Sequence, residues 1–308
     1  MRRGLERAFA LGNGVACTGD RSPGDRIAAY HVLHGVKGFG TCRFLNAAIF
    51  AVRDRVARTA SYVATRSVSN MGAIVTPYPD RVPDPGLTRE WRPAWPCPMH
   101  QVLAVLRRGG GDPTFRRDPD GTVWRGIRSP EGPATLRLRQ EYDGVVHAQA
   151  WGPGGGWVLD SVPAMLGAED DPAGFEPQHA PVASMHRRHA HWRVTRTGLV
   201  MEALVPAILE QKVTGQEAFA GFRALVHRFG ERAPGPGVER GLWVQPSPHR
   251  LRSIASWEWL RLHVDPARSR TVVQAARGAA ALERTVSLPR DDGDRRLRSV
   301  PGIGEWTS

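Results

Sequence analysis

Apolar positions follow two different rhythms along this 308-residue chain. From Pro98 the stretch PMHQVLAVLRRGGG sets Val102, Leu103 and Leu106 on one helical face and stops at glycines, which predicts a short helix. Strand signals follow at GTVWRGI, ATLRLRQEY and VVHAQAW. In the second run Leu136, Leu138 and Tyr142 alternate with polar residues, and Asp143-Gly144 between two such runs marks a hairpin. A short strand at GGWVLD and a helix at SVPAMLGA complete an α+β unit over residues 85–166, and EDDPAGFEPQHAP, within 167–181, reads as a linker.

After the linker the period becomes helical. GLVMEALVPAILEQKV places Leu199, Ala203, Leu204, Ala207 and Ile208 on one face, with a kink expected at Pro206. GQEAFAGFRALVHRFG repeats the pattern through Phe219, Phe222, Leu225, Val226 and Phe229, and Gly230 ends it. Further helices fit PHRLRSIA, SWEWLRL, PARSRTVVQAARGAAALER and DGDRRLRSV. Trp257 and Trp259 fall on opposite faces of theirs, so at least one is core. Residues 182–308 thus read as an all-α array of short helices. Residues 1–84 have no sustained period and end in TPYPDRVPDPG, which suggests a non-native or disordered leader, or else a small basic arm.

Charge narrows the class of partner. The formal net charge is +12 with a pI near 10.9, which points to a polyanion. The excess is regional: +6 over residues 1–84, −2 over 85–180 and +8 over 181–308. No apolar run is long enough to cross a membrane, and the short apolar stretch near the N-terminus is broken by Asn13 and glycines. A cytoplasmic, nucleoid-associated monomer with no membrane partner is the expectation. Cys17, Cys42 and Cys97 lie far apart, so neither a disulfide framework nor a zinc ribbon is suggested.

The closing stretch LRSVPGIGEWTS carries the most chemistry. Asp292 or Asp294 can cap a short helix bearing Leu297 and Val300, and Pro301-Gly302-Ile303-Gly304 then turns into a new helix at Glu305. Two glycines two apart let the backbone fold tightly and bring successive N–H groups to the surface at a helix N-terminus, a geometry suited to one DNA phosphate. Elsewhere, His186, His189 and His191 lack a carboxylate or Cys at ligand spacing, and read as a basic approach to the helical region rather than a metal site. GPGGGW and RRGGGD lack the Gly-Lys-Ser/Thr of a phosphate loop. Asp265 before Pro266 reads as a helix start, and Asp291, Asp292 and Asp294 as caps or solvated turn residues.

LRSVPGIGEWTS, together with EALVPAILEQKVTGQEAFAGF, resembles the helix-hairpin-helix superfamily of DNA glycosylases, specifically its 3-methyladenine DNA glycosylase II branch. The resemblance covers about residues 88–308 and includes a sheet domain of the TATA-binding-protein type, so it implies an α+β N-terminal sheet domain followed by an all-α helix-hairpin-helix domain. By position it implies that Gly302, Ile303 and Gly304 present amides to a phosphate of double-stranded DNA, with a monovalent metal ion assisting and no other cofactor. Trp306 would wall the base pocket. Gln211 and Lys212 would stand at the wedge that fills the gap left by a flipped nucleotide, although Lys212 replaces the apolar residue common there.

The activity implied is base-excision repair: hydrolysis of the N-glycosidic bond of alkylated purines after the base leaves the stack. In the family a catalytic aspartate follows the second helix of the motif. That places it beyond Ser308, so the chain is expected to be incomplete at its C-terminus and itself inactive. Trp306 stands where a glycosylase/lyase would carry its nucleophilic lysine, which favours a monofunctional enzyme. The alternative is a non-enzymatic DNA-binding or damage-sensing protein that uses the same hairpin.

Overall fold

Alternation in the 123–151 region builds a five-stranded antiparallel sheet. The computed structural model describes residues 85–308. The strands are β1 (Leu87–Trp91), β2 (Phe115–Arg117), β3 (Val123–Ser129), β4 (Gly132–Gln140) and β5 (Val146–Trp151), ordered β1-β5-β4-β3-β2. Leu136 and Leu138 on β4, with Val146, Ala148 and Ala150 on β5, point to one face and are fully buried. Asp143-Gly144 closes the β4–β5 turn, with Gly144 in the left-handed region at φ 88°. Tyr142 leaves the expected alternation: β4 ends at Gln140 and the Tyr142 ring is exposed in the turn.

Helix α1 (Met99–Ala104) buries Val102 and Leu103, as its spacing predicts, and Met99 and Leu103 pack in the cluster on that face. GGWVLD is not a strand but the first half of α2 (Gly155–Met165). Val158, Leu159, Val162 and Met165 recur at helical spacing and pack on the sheet, a period that a six-residue window cannot reveal. The polar edge strand β1 carries no apolar alternation, and it forms by backbone pairing with β5.

The linker region leads into α3 (Ala180–Arg188), which buries no side chain. The helical core then assembles from α4 (Val200–Leu209) and α5 (Gly215–Phe229), with α6 (Pro248–Arg252), α7 (Ser256–Arg261), α8 (Pro266–Arg277), α9 (Ala279–Glu283) and α10 (Arg290–Arg298). On α4 the buried face is Met201, Leu204, Val205, Ile208 and Leu209, so Ala203, expected inside, is exposed. The larger neighbours bury more apolar surface, and the helix rotates to suit them. Phe222, Leu225 and Val226 of α5 are buried where expected, and Gly230 caps it. Trp259 is core while Trp257 is exposed. Gly278 divides the expected long helix into α8 and α9. Helix α10 starts at Arg290 after Pro289, so Asp292 and Asp294 do not cap it; they pair with Arg295 and Arg298 instead.

The helical region is not purely α. A ribbon of β6 (Glu231–Arg232) and β7 (Trp243–Val244) lies on the second face of the sheet. There Trp124 and Trp151 stack with centroids 6.0 Å apart, and Ala233, Leu242 and Val244 cover them. Arg240 lies 4.0 Å over the Trp124 ring and pairs with Asp118, which also accepts from Trp124 Nε1 at 2.9 Å. The Trp243 amide donates to Pro113 O at 2.9 Å. Sheet and helices of the described residues therefore share one compact unit. The leader or arm expected over residues 1–84, with Cys17 and Cys42, lies outside the described residues. Among the described residues no helix is long and apolar enough to cross a membrane.

Candidate nucleic-acid interface

The glycine turn after α10 is held from three directions. Leu297 and Val300 pack on the helical core, and the Val300 amide closes on Leu297 O at 3.1 Å. Pro301 then breaks the helix, and Gly302 takes φ 94°, a conformation open to glycine at little steric cost. A side chain there would meet Thr271 of α8: an added Cβ would lie 2.0 Å from its Oγ1. Ile303 turns inward and is 6% exposed within the helical core. Beyond it the amides of Thr307 and Ser308 donate to Gly304 O at 3.0 and 3.1 Å, which begins a helical turn.

This geometry revises one expected contact. The Ile303 amide donates to Val300 O at 3.0 Å, so it is not free for a phosphate, and Ile303 acts as the apolar anchor. Among the described residues the N–H groups of Gly302, Gly304, Glu305 and Trp306 have no partner. Nothing stands within 4 Å of the position a Gly304 Cβ would take. The turn thus offers consecutive donors over open space at the start of a helical turn, an arrangement that attracts an anion.

The α4–α5 turn comes to the same place. Gln211 Nε2 donates to Gly302 O at 2.9 Å and to Thr307 Oγ1 at 2.9 Å. Lys212 is exposed and sits in the left-handed region at φ 56°. Thr214 then starts α5 with a capping box completed by Glu217, a pattern readable in TGQE. Beneath the turn, Arg268 is buried and donates to Leu209 O at 2.7 Å while pairing with Asp265, which caps α8 through the amides of Ala267 and Arg268. Asp265 is the helix start its place before Pro266 predicts. Sequence reasoning missed Arg268, Thr271 and Thr307. Each lies inside an ordinary stretch, and its role comes from what folding brings beside it.

Burial pushes the Asp265 carboxyl up, but hydrogen bonds from the Arg268 side chain and from the Arg268 and Ala267 amides outweigh this and hold it below the ordinary value. A depressed carboxylate stabilises the fold above its ordinary pKa, and that contribution disappears as pH falls through the folded-state value. Asp265→Asn keeps a capping oxygen but cannot pair with Arg268. Its stability is expected to fall less steeply than that of the wild type between neutral and strongly acidic pH. Parallel denaturant titrations would show identical pH slopes if Asp265 played no part.

Trp306 is 100% exposed, and among the described residues no ring or guanidinium contacts it. The expected base-pocket wall is therefore not assembled around it. A cleft of about 270 Å³ lies elsewhere, between sheet and helices, where Arg125 pairs with Glu202. No hairpin residue lines it. The carbonyls of Val300, Gly302 and Gly304 each accept protein donors, from the Ile303 amide, from Gln211 Nε2 and from the Thr307 and Ser308 amides. No group of three His, Cys, Asp or Glu among the described residues could hold a metal. On the surface nearby, Arg270 of α8 and Arg296 of α10 are exposed and enter no ion pair among the described residues.

No protein-family model matches the sequence, and no curated protein matches it. Solved structures share its fold at low identity. A 3-methyladenine DNA glycosylase from Archaeoglobus fulgidus superposes with a TM-score of 0.53 at 17% identity, over 67% of this chain and 70% of its own. MBOgg1 in complex with a low-affinity DNA ligand superposes with a TM-score of 0.54 at 13% identity, over 72% of this chain and 74% of its own. The antiparallel sheet with its helical array is thus the fold of these two proteins.

Proposed function

We propose that the protein is a DNA-repair glycosylase that binds double-stranded DNA through the 301–308 turn and acts, as a monofunctional enzyme, on alkylated purines of the 3-methyladenine type. One observation carries the reading: unpartnered N–H groups at Gly302, Gly304, Glu305 and Trp306 belong to exposed residues of a turn locked from behind by Ile303, Thr271 and Gln211, with open space beside Gly304. A phosphate oxygen satisfies such donors without a side chain between them. Lys212 and the unpaired Arg270 and Arg296 supply a positive approach, in keeping with the +8 excess over residues 181–308.

The reaction needs the base out of the stack, and a damaged, poorly paired purine costs least to extrude. A cationic alkylated purine is a good leaving group, and the exposed indole of Trp306 offers a face for cation–π attraction once DNA covers it. A cytoplasmic, nucleoid-associated monomer completes the proposal. The fold shared with a 3-methyladenine DNA glycosylase from Archaeoglobus fulgidus supports the choice of alkylated purines.

The test has two arms. Affinity for duplex DNA should fall steeply with salt, because each neutralised phosphate releases counterions. A chain extended past Ser308 to the expected aspartate should release free 3-methyladenine from alkylated duplex where residues 1–308 release none, and borohydride should trap no covalent adduct, since Trp306 stands at the place of a lyase lysine. Salt-dependent binding with no base released by the extended chain would assign the non-enzymatic, damage-sensing role. A trapped adduct would exclude the monofunctional reading.

A further inference from the structure

The Gln211 amide has two hydrogens, and both are used: one on Gly302 O at 2.9 Å and one on Thr307 Oγ1 at 2.9 Å. Those acceptors bracket the exposed segment that carries the free amides of Gly304, Glu305 and Trp306. The contact at Gly302 has a further consequence, because Gly302 O and the Ile303 amide belong to one peptide unit. Gln211 holds its oxygen and Val300 O holds its nitrogen, so that plane is clamped on both edges. Next to a glycine at φ 94°, an unclamped peptide plane flips at little steric cost. A flip would turn the Gly302 carbonyl away from Gln211 and toward the open side, where it would repel an anion.

The other end of the latch is equally constrained. Lys212 follows Gln211 directly and occupies the left-handed region, which a non-glycine residue keeps only when its surroundings enforce it. Gln211 amide N–H bonds Ile208 O at 3.2 Å, and Arg268 holds Leu209 O, so the end of α4 is fixed to α8 as well. A side chain so engaged is not available to fill a gap in a duplex.

We infer that Gln211 is a positioning residue: its amide locks the Gly302–Ile303 peptide and ties the hairpin to the α4–α5 turn, so that hairpin donors and Lys212 meet the same DNA strand in a fixed register. This rests on the DNA-binding reading above and replaces the wedge role that position alone suggests for Gln211.

Gln211→Leu separates the two roles, because leucine keeps comparable bulk for a wedge but cannot donate. Loss of the latch should weaken duplex binding roughly ten-fold, the size expected for one or two hydrogen bonds. It should also flatten the salt dependence, since Lys212 loses its register. Lys212→Met should then weaken binding less in the Gln211→Leu background than in the wild type. A readout free of DNA is amide hydrogen exchange: the Ile303 amide should exchange faster in Gln211→Leu while the Leu225 amide in the core stays protected. Thr307→Val removes one acceptor and should produce a smaller shift in the same direction. Wild-type protein that fails to bind duplex DNA overturns the functional reading. Wild-type binding matched by Gln211→Leu, or unchanged Ile303 exchange, overturns the latch.

Discussion

Gly126→Val is expected to separate the ribbon from the sheet and to be among the most destabilising single substitutions in the chain. Gly126 lies mid-strand on β3, opposite Thr135, and β7 crosses directly over it. A Cβ there would stand 2.1 Å from Trp243 O and 2.9 Å from Trp243 C, both backbone atoms that cannot rotate aside. The ribbon must retreat by more than an ångström. That retreat strains the bond from the Trp243 amide to Pro113 O, the bond from Thr135 Oγ1 to Pro234 O at 2.6 Å, and the bond from Arg128 Nε to Gln245 O at 2.8 Å. Overpacking together with the loss of such bonds costs about 3–5 kcal/mol, which corresponds to a drop of roughly 10 °C in Tm for a unit of this size. Gly156 provides the control. It lies in the first turn of α2 with nothing within 4 Å of its Cβ position, so Gly156→Ala should be neutral or should stabilise by about 0.5–1 kcal/mol. Thermal scans that move equally for Gly126→Val and Gly156→Ala would contradict the close approach of β7.

That ribbon also shows what the sequence could and could not reveal. Where local chemistry dictates the structure, sequence and fold agree: Asp143-Gly144 closes the hairpin, Asp265 caps α8, and the apolar stripe through Phe222, Leu225 and Val226 points into the core. Strands of two residues have no period to detect, so β6 and β7 were invisible, and the region carrying them looked entirely helical. GGWVLD misled for the opposite reason, because six residues of a helix with mixed apolar faces can imitate a strand. At the candidate interface, the PGIG turn itself was legible from its glycines. Its supports were not, since Thr271, Arg268 and Gln211 act only through chain segments that are remote in sequence. Sequence also assigned the Ile303 amide to the anion, whereas the fold closes it on Val300 O.

The two glycines of that turn should behave in opposite ways. Gly302→Ala meets two obstacles: φ 94° is a region that a residue with a Cβ rarely adopts, and the new carbon would lie 2.0 Å from Thr271 Oγ1, 3.0 Å from its Cγ2 and 3.1 Å from its Cβ. Thr271 has little freedom to yield, because its hydroxyl is bonded to Ala267 O at 3.0 Å and its side chain is buried in α8. The turn must rearrange, which pulls Gly302 O from Gln211 and disturbs the seat of Ile303. A loss of about 2–4 kcal/mol in stability follows from strain of this kind, with duplex binding falling roughly a hundred-fold as the donors scatter. Thr271→Ala in the same chain removes Oγ1 and Cγ2 but leaves Cβ and the φ requirement, so it should recover only part of the loss. Gly304→Glu should do the reverse. Its Cβ enters open space and its φ is unexceptional, so thermal stability should stay near wild type. Its carboxylate would occupy the side on which a phosphate must approach, so duplex binding should weaken at least ten-fold at low salt, where repulsion is least screened. Measured side by side, the pair separates folding from binding: stability lost at Gly302, affinity alone lost at Gly304. A Gly304→Glu protein that binds duplex DNA as tightly as wild type would remove this turn from the nucleic-acid interface, however well the hairpin itself is folded.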